Sequence, residues 1–257
     1  MKRTLISPNL DAFPAEFHAL LKDTTIYDSS CSPEARVIFI DKDNGYFLKS
    51  APKGMLKNEA ILNGYFHSHG LSAAVLSYLS DESDWLLTER VRGEDCTFAR
   101  YLDDPKRLCD TIATLLRQLH ELDIADCPVQ NRTETYLETA ARNYQNGIFD
   151  VSFSPNNSAK EAWRTLEEGK HLLEQNTLLH GDYCLPNILL DNWQFSGFID
   201  LGNGGVGDRH IDLFWGAWTL QFNLKTDAYQ ERFFDAYGRE KIDPERLRIV
   251  AAAEVFG

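Results

Sequence analysis

Residues 177–208, TLLHGDYCLPNILLDNWQFSGFIDLGNGGVGD, form an irregular region between long segments of helical periodicity. Within this region two apolar runs, ILL and FSGFI, are separated by the polar residues DNWQ. Short apolar runs on either side of a polar turn predict a β-hairpin. We place the centre of the turn at Trp193 and Gln194, and we expect the chemistry of the protein to lie in this region.

Three oxygen-bearing side chains are expected at one end of this hairpin. In the predicted register Asn187 lies opposite Asp200, and Asp182 precedes Asn187 by five residues. A carboxylate and a carboxamide suit Mg²⁺, which takes few protein ligands and leaves coordination positions for phosphate and water. A further carboxylate outside the metal shell can orient an attacking hydroxyl or accept its proton. Together, these side chains are typical of phosphoryl transfer.

The residues before this region are rich in short strands. The runs TTIY, RVIFI and YFLK predict three antiparallel strands, the last two joined by a tight turn at Asn44 and Gly45. The runs AAVLSYL and DWLLTERV predict two more. Between them a helix is predicted over residues 55–67. One face of that helix carries Met55, Glu59, Leu62 and Phe66.

Helical periodicity dominates the second part of the chain. Apolar residues recur at helical spacing from Pro105 onward. Further helices are predicted over 132–147, 158–174 and 208–253. We therefore predict an α+β fold, with a small antiparallel-sheet lobe carrying one helix over residues 1–91 and a larger, mainly helical lobe over residues 92–257.

Lys49 and Glu59 are predicted to form an ion pair in the first lobe. Lys49 ends the third strand on the same face as Phe47, and Glu59 lies on the apolar face of the next helix, where a carboxylate needs a buried partner. Kinases use such a Lys–Glu pair to hold the α- and β-phosphates of a nucleotide. The alternative is a surface pair worth less than about 1 kcal/mol.

Composition limits the classes of partner. The chain of 257 residues is 43% hydrophobic and 25% charged, as in folded proteins, and its net charge of -13 argues against a nucleic-acid partner. Most of that negative charge follows residue 95, which favours a cationic small molecule there. No run approaches the ~20 apolar residues of a membrane span, and no signal peptide is visible, so we expect a cytoplasmic protein without a membrane partner. The five cysteines lack a C-x-x-C pair and are expected to be free thiols.

A compound motif adds a resemblance. H-G-D-Y-C-L-P-N at residues 180–187, followed by I-D-L-G at 199–202, resembles the catalytic and metal-binding loops of the aminoglycoside phosphotransferase family, and most closely the aminoglycoside 3′-phosphotransferases. The family is related to the protein kinases. The resemblance implies a bilobal protein-kinase-like fold, ATP or GTP with Mg²⁺ as cofactors, and transfer of a phosphoryl group to a hydroxyl of a cationic aminoglycoside, with the 3′-hydroxyl as the expected acceptor.

The resemblance also assigns roles to individual residues. Asp182 corresponds to the catalytic carboxylate, and Asn187 and Asp200 correspond to the Mg²⁺ ligands. Asp212 is similar to the family's buried carboxylate that braces the catalytic loop, and His180 looks like a structural member of that loop.

On the nucleotide side, Ser32 resembles part of the phosphate-covering loop, and Glu89 and Val91 resemble the hinge that contacts adenine through the backbone. On the acceptor side, the ammonium groups would meet Asp150, Glu254 and the terminal carboxylate of Gly257. Relatives are richer in acidic residues before the catalytic loop, which predicts narrower or weaker acceptance of aminoglycosides.

Other functions remain open at this stage. The same motif serves a metabolic kinase that phosphorylates a sugar, an amino alcohol or a nucleoside. A metal-dependent phosphohydrolase could use His180, Asp182, Asp200 and His210, although Asn187 is a poor bridge between two metals and Lys49 and Glu59 would have no role. A nucleotide-binding module without catalysis is disfavoured because the catalytic side chains are present. Cys184 is interpreted as a structural thiol rather than a nucleophile.

Overall fold

The protein divides into two compact units. The computed structural model describes residues 3–7, 9–31, 33–153 and 158–257. The first unit comprises the described residues of Met1–Asp95 together with Leu189–Gly202, and the second comprises those of Cys96–Ile188 and Asn203–Gly257. The sequence predicts a boundary after residue 91, with all later residues in the second lobe. In the structure Leu189–Gly202 belongs to the first unit, where the N–H of Phe198 donates to the carbonyl of Leu71 at 2.7 Å.

The helices and strands alternate in the first part of the chain, whereas helices predominate later. In chain order they are β1 Thr4–Ile6, α1 Ala15–Leu21, β2 Thr25–Asp28, β3 Arg36–Asp41, β4 Tyr46–Pro52, α2 Lys57–Ser68, β5 Val75–Ser80, β6 Ser83–Glu89, β7 Glu94–Asp95, α3 Ala99–Leu102, α4 Pro105–His120, α5 Arg132–Gln145, α6 Ala159–Gly169, β8 Thr177–Leu179, β9 Ile188–Asp191, β10 Gln194–Phe198, β11 Gly205–Gly207, α7 His210–Leu224, α8 Gln230–Tyr237 and α9 Pro244–Glu254.

A six-stranded antiparallel sheet organises the described residues of the first unit, in the order β1-β2-β3-β4-β6-β5. Side chains alternate between the two faces of each strand. One face packs with α1 into an apolar core that contains Phe17, Ile26, Ile38, Leu48 and Leu87. Helix α1 was not predicted from the sequence, and the expectation of one helix in this lobe is wrong. Its seven residues bury only Phe17 and Leu21, too few to give a clear period.

Helix α2 begins later than predicted. Its first residue is Lys57, and the preceding N–H of Leu56 donates to Oδ2 of Asp84 at 2.9 Å. Met55 lies before the helix and is 54% exposed, so it does not belong to the buried stripe. Glu59, Leu62 and Phe66 are buried as the periodicity predicts.

The hairpin of β9 and β10 forms where the two apolar runs predict it. Its turn residues are Asn192 and Trp193, both with positive φ, at 48° and 70°. This backbone matches the two-residue turns that suit the twist of a hairpin. The turn therefore lies one residue earlier than the predicted Trp193 and Gln194. The pattern DNWQ contains no glycine, so the sequence did not mark the left-handed positions.

The second unit is mainly helical, as predicted. Its core joins α5, α6, α7 and α9 with the last residues of the chain, including Tyr136, Leu166, Ile211, Ile249 and Phe256. The short strands β8 and β11 pair antiparallel, with Leu178 opposite Val206. None of the helices in the described residues has the length and apolar character needed to cross a membrane. The five cysteines are free thiols, as expected.

Candidate active site

The loop from His180 to Asn187 follows strand β8 through a position that only glycine fits. Gly181 has a φ of 84°, a left-handed conformation that side chains disfavour. A Cβ on this residue would lie 1.7 Å from the carbonyl oxygen of Asn203. The glycine thus allows the loop to turn sharply against the chain that follows the hairpin.

A buried carboxylate holds the beginning of this loop. Asp212, in the first turn of α7, accepts the backbone N–H of His180 on Oδ2 at 2.7 Å and that of Gly181 on Oδ1 at 2.8 Å. His120 of α4 approaches the same Oδ2 through Nε2 at 3.2 Å. Asp212 is fully buried, so these donors replace the water that a charged carboxylate would otherwise require.

Asp182 and Asn187 are in contact within this loop. Nδ2 of Asn187 donates to the backbone carbonyl of Asp182 at 3.0 Å and to its Oδ2 at 2.8 Å. Both amide hydrogens are thereby used on Asp182. The amide oxygen of Asn187 is consequently turned away from that carboxylate.

Cys184 lies between these residues and is not an activated thiol. Burial raises the pKa of Cys184, and the negative charge of Asp182 raises it further. A nucleophilic thiol needs the opposite shift. The Nδ1 atom of His180 accepts the N–H of Asp182 at 3.3 Å.

In the first unit, one ammonium group contacts two carboxylates. Nζ of Lys49 on β4 lies 2.8 Å from Oε2 of Glu59 on α2 and 2.9 Å from Oδ1 of Asp200. Although burial by itself lowers the pKa of Lys49, the two carboxylates hold that pKa above its ordinary value. Burial raises the pKa of Glu59, and Lys49 opposes this shift. Lys49 and Glu59 therefore form a largely buried ion pair and not the surface pair that was the alternative prediction.

Asp200 follows β10 in a left-handed conformation, with a φ of 58°. Its side chain is about half exposed, so its second oxygen is open to a further partner. The next turn is held by Asn58, whose Nδ2 donates to the carbonyl of Gly202 at 2.6 Å. Asn58 was missed in the sequence because a single partly buried amide early in a helix has no periodic signal.

The other nucleotide-side predictions lie on β6 and beyond it. Glu89 ends β6, and its N–H donates to the carbonyl of Ala74 at 3.0 Å. Val91 is buried and packs against Gly197, where an added Cβ would lie 2.9 Å from a Val91 methyl group. Ser32 lies outside the described residues.

The acceptor-side predictions differ in burial. Asp150 is exposed, and its Oδ1 accepts the N–H of Ser152 at 2.8 Å. Glu254 is only 5% exposed. Its Oε1 accepts the hydroxyl of Tyr136 at 2.8 Å and the indole N–H of Trp215 at 3.1 Å. Gly257 is exposed, whereas the preceding Phe256 is buried and anchored by a 2.9 Å bond from Asn143 to its carbonyl.

The burial of Glu254 changes its chemistry. Burial raises the pKa of Glu254 to about 7, although the hydrogen bonds from Tyr136 and Trp215 oppose that shift. The carboxylate of Asp182 raises this pKa as well. A cation near Glu254 would favour its ionised form, because opposite charges stabilise each other in a poorly solvated site.

The geometry argues against the phosphohydrolase alternative. His210 is buried, with Nδ1 2.6 Å from Oδ1 of Asp208, while Nε2 accepts the N–H of Asp243 at 2.9 Å. Both ring nitrogens are therefore used inside the fold. Over the described ranges, no group of three or more His, Cys, Asp or Glu side chains is arranged to hold a metal ion.

Comparison with known proteins identifies the family. The model of the phosphotransferase enzyme family matches residues 33–250, most of the chain. The chain belongs to this family. A probable aminoglycoside 3′-phosphotransferase of Lactococcus lactis subsp. lactis (strain IL1403) is 52% identical over 253 residues, 97% of each chain. The aminoglycoside 3′-phosphotransferase of Niallia circulans is 32% identical over 67% of each chain.

Solved structures agree with this membership. The crystal structure of aminoglycoside-3′-phosphotransferase of type VIII has a TM-score of 0.75 and 26% identity, covering 89% of this chain and 92% of its own. The aminoglycoside phosphotransferase of Streptomyces rimosus, solved with ADP and streptomycin, has a TM-score of 0.72 at 22% identity and covers 98% and 100%. The predicted family, the protein-kinase-like α+β fold and the phosphotransferase class are confirmed.

Proposed function

We propose that this phosphotransferase uses ATP, or GTP, and Mg²⁺ to phosphorylate the 3′-hydroxyl of an aminoglycoside antibiotic, and that this reaction confers resistance. The observation that carries the choice of acceptor is the 52% identity over 97% of both chains to the Lactococcus lactis relative. Since the phosphoryl donor is an intracellular nucleotide, the activity belongs to the cytoplasm.

Asp182 is the proposed base or orienting carboxylate. As the acceptor oxygen bonds to the γ-phosphorus, the bond from that phosphorus to the bridging oxygen of ADP breaks, and the hydroxyl proton passes to Asp182. The 2.8 Å hydrogen bond from Asn187 fixes one carboxylate oxygen, Oδ2. The other oxygen, Oδ1, is then the atom that faces the acceptor hydroxyl.

The nucleotide and its Mg²⁺ ion are proposed to contact the following residues. Lys49, held by Glu59, is proposed to contact the α- and β-phosphates, and Ser32, Glu89 and Val91 are proposed to contact the nucleotide through the phosphate-covering loop and the hinge. The oxygens of Asn187 and Asp200 suit Mg²⁺, because the Asn187 amide hydrogens are used elsewhere and the Asp200 carboxylate is half exposed. When bound, Mg²⁺ neutralises charge on the phosphate oxygens.

The acceptor side is proposed to comprise Asp150, Glu254 and Gly257. Glu254 is the strongest of the three, because the hydrogen bonds from Tyr136 and Trp215 fix its position before any ligand arrives. Prepositioned carboxylates reduce the cost of stripping water from an ammonium group. Few such groups are available, which predicts acceptance of a narrower set of aminoglycosides.

The experiment compares kanamycin B with its 3′-deoxy analogue, in the presence of ATP and Mg²⁺, and detects the product by mass. We expect addition of one phosphoryl group to kanamycin B and none to the analogue. Phosphorylation of both compounds would assign a different hydroxyl. If neither reacts while a sugar, an amino alcohol or a nucleoside does, the chain is a metabolic kinase.

A further inference from the structure

Helix α7 contacts the catalytic loop at two places. Near its start, Asp212 accepts the N–H groups of His180 and Gly181. Seven residues later, Oγ1 of Thr219 accepts the N–H of Leu185 at 3.1 Å. Seven residues are close to two helical turns, so both side chains lie on one face of the helix, about 10 Å apart along its axis. The loop is therefore held at its beginning and near its end.

Thr219 is itself fixed in place. Its side chain is 1% exposed, and Nδ2 of Asn223, one turn later, donates to Oγ1 at 3.2 Å and to the Thr219 carbonyl at 2.8 Å. Leu185 is fully buried, so its N–H has no access to water. Buried backbone donors are almost always paired, and a hydroxyl on α7 supplies that pairing here.

The bond to Leu185 falls between the two residues assigned to catalysis and metal binding. Asp182 precedes Leu185 by three residues, and Asn187 follows it by two. Inside this segment the N–H of Cys184 donates to the Asp182 carbonyl at 2.8 Å, and the N–H of Asn187 donates to the Cys184 carbonyl at 2.9 Å. A shift of Leu185 therefore moves both ends of the Asp182–Asn187 contact, whereas the bonds to Asp212 lie on the far side of Asp182.

We propose that Thr219 is a positioning residue that holds Asp182 and Asn187 in the geometry for phosphoryl transfer. The proposal rests on the proposed function, because it assumes that Asp182 is the carboxylate that acts on the acceptor hydroxyl. Thr219 contacts neither reactant in this mechanism. Its hydroxyl acts through the backbone of Leu185, and Asn223 supports the hydroxyl.

The main test is Thr219→Val, which keeps the branched shape and removes the hydroxyl. We expect kcat to fall 10- to 100-fold, because small displacements of a catalytic group cost rates of this order. KM for ATP and for the aminoglycoside should change by less than about twofold, since neither substrate contacts Thr219. Thr219→Ser retains the hydroxyl and should keep kcat within about threefold of the wild type.

Thr133 provides the matched control. It is also a buried threonine, 5% exposed, whose Oγ1 accepts a backbone N–H, that of Asp208 at 2.8 Å, and donates to the Glu174 carbonyl at 2.8 Å. Thr133→Val removes the same chemical group from the same kind of contact. We expect it to lower stability and to leave kcat unchanged. A fall in kcat as large as that of Thr219→Val would overturn the positioning role.

Two further outcomes separate the inference from the function. If the wild type phosphorylates an aminoglycoside and Thr219→Val has an unchanged kcat, the positioning role is wrong and the function stands. If the wild type phosphorylates no hydroxyl at all, the function itself fails and the inference falls with it. Should Thr219→Val not fold, Asn223→Ala decides: a fall in kcat of several-fold at constant KM supports the role, and an unchanged kcat overturns it.

Discussion

Nε2 of His120 lies 3.2 Å from Oδ2 of Asp212, and both side chains are buried in the second unit. On the other side of the ring, Nδ1 lies 2.8 Å from the hydroxyl of Tyr237, and Arg209 donates to that hydroxyl at 3.4 Å. Arginine can only donate, and this arrangement fits a neutral ring in which Tyr237 donates to Nδ1 and Nε2 donates to Asp212. Burial lowers the pKa of His120, which favours the neutral ring.

His120→Leu should weaken both stability and turnover. The substitution leaves the buried Asp212 without a side-chain donor, and we expect the free energy of unfolding to fall by about 2–4 kcal/mol. We expect kcat to fall as well, because Asp212 holds the start of the catalytic loop. Urea unfolding and steady-state kinetics measure the two effects. His120→Gln keeps a donor and should lose less of both; equal losses in the two variants would contradict this role for the ring.

The same histidine contributes to the pH dependence of stability. Because the pKa of His120 is lower in the folded state, its contribution is complete above the unfolded pKa of about 6.5 and is lost as the pH falls below that value. We expect the free energy of unfolding to decrease less steeply between pH 7 and pH 5 in His120→Gln than in the wild type. Parallel curves for the two proteins would mean that His120 takes up its proton equally in both states.

Lys49 and Glu59 should act as one unit on the nucleotide. Lys49→Met removes the group proposed to contact the phosphates, and Glu59→Gln loosens it, so each should weaken ATP binding. The double variant should lose less ATP-binding free energy than the sum of the losses in the two single variants, with a coupling free energy of about 1–3 kcal/mol. Isothermal titration with ATP and Mg²⁺ measures the cycle. Lys53→Met, an exposed lysine just after β4, is the control and should bind ATP normally.

Much of the fold could be predicted because several segments carry strong local patterns. The runs of β-branched and aromatic residues in RVIFI and YFLK gave β3 and β4, and the buried stripe of Glu59, Leu62 and Phe66 gave α2. Helix α1 could not be predicted, since it is short and buries few residues against the sheet. The start of α2 depends on a hydrogen bond to Asp84, 28 residues away, which no local pattern contains.

In the candidate site, too, contacts within one motif could be predicted from the sequence, whereas contacts between distant segments could not. The spacing of Asp182 and Asn187 within one motif predicted two side chains that prove to be in contact. By contrast, Asp212 contacts His120 of α4, and His120 contacts Tyr237 of α8, so only the tertiary structure brings these side chains together. The burial of Glu254 was also hidden, because its neighbours Tyr136 and Trp215 lie far away in sequence.

Asp182→Ala should separate catalysis from nucleotide binding. We expect kcat to fall by roughly 10²- to 10⁴-fold, because the proposed role of this carboxylate is to act on the acceptor hydroxyl. The affinity for ATP should change little, and titration with ATP and Mg²⁺ checks this. Asp200→Ala should instead weaken the binding of ATP in the presence of Mg²⁺, because Asp200 is proposed to hold the metal ion. Asp191→Ala, at an exposed position on β9, controls for the loss of one negative charge. A loss confined to KM for ATP in Asp182→Ala would contradict the catalytic role.

Glu254→Gln should make the protein more stable than the wild type at high pH. The folded pKa of Glu254 is raised from 4.5 to about 7, so its contribution is present below pH 4.5 and is lost as the pH rises through about 7. At pH 5 the two proteins should have similar free energies of unfolding. At pH 8 the variant should be more stable by up to about 3 kcal/mol, which urea unfolding at both pH values measures.

The same ionisation should control binding of a cationic acceptor. Only the charged form of Glu254 attracts an ammonium group, so KM for the aminoglycoside should fall between pH 6 and pH 8 in the wild type. The ammonium groups titrate in the same range, and Glu254→Gln corrects for this because it experiences the same change in the acceptor. We expect the KM of Glu254→Gln divided by the KM of the wild type to increase with pH. Tyr136→Phe should move the midpoint of this change to higher pH, since the Tyr136 hydroxyl stabilises the charged carboxylate. A KM ratio independent of pH would show that Glu254 does not meet the acceptor.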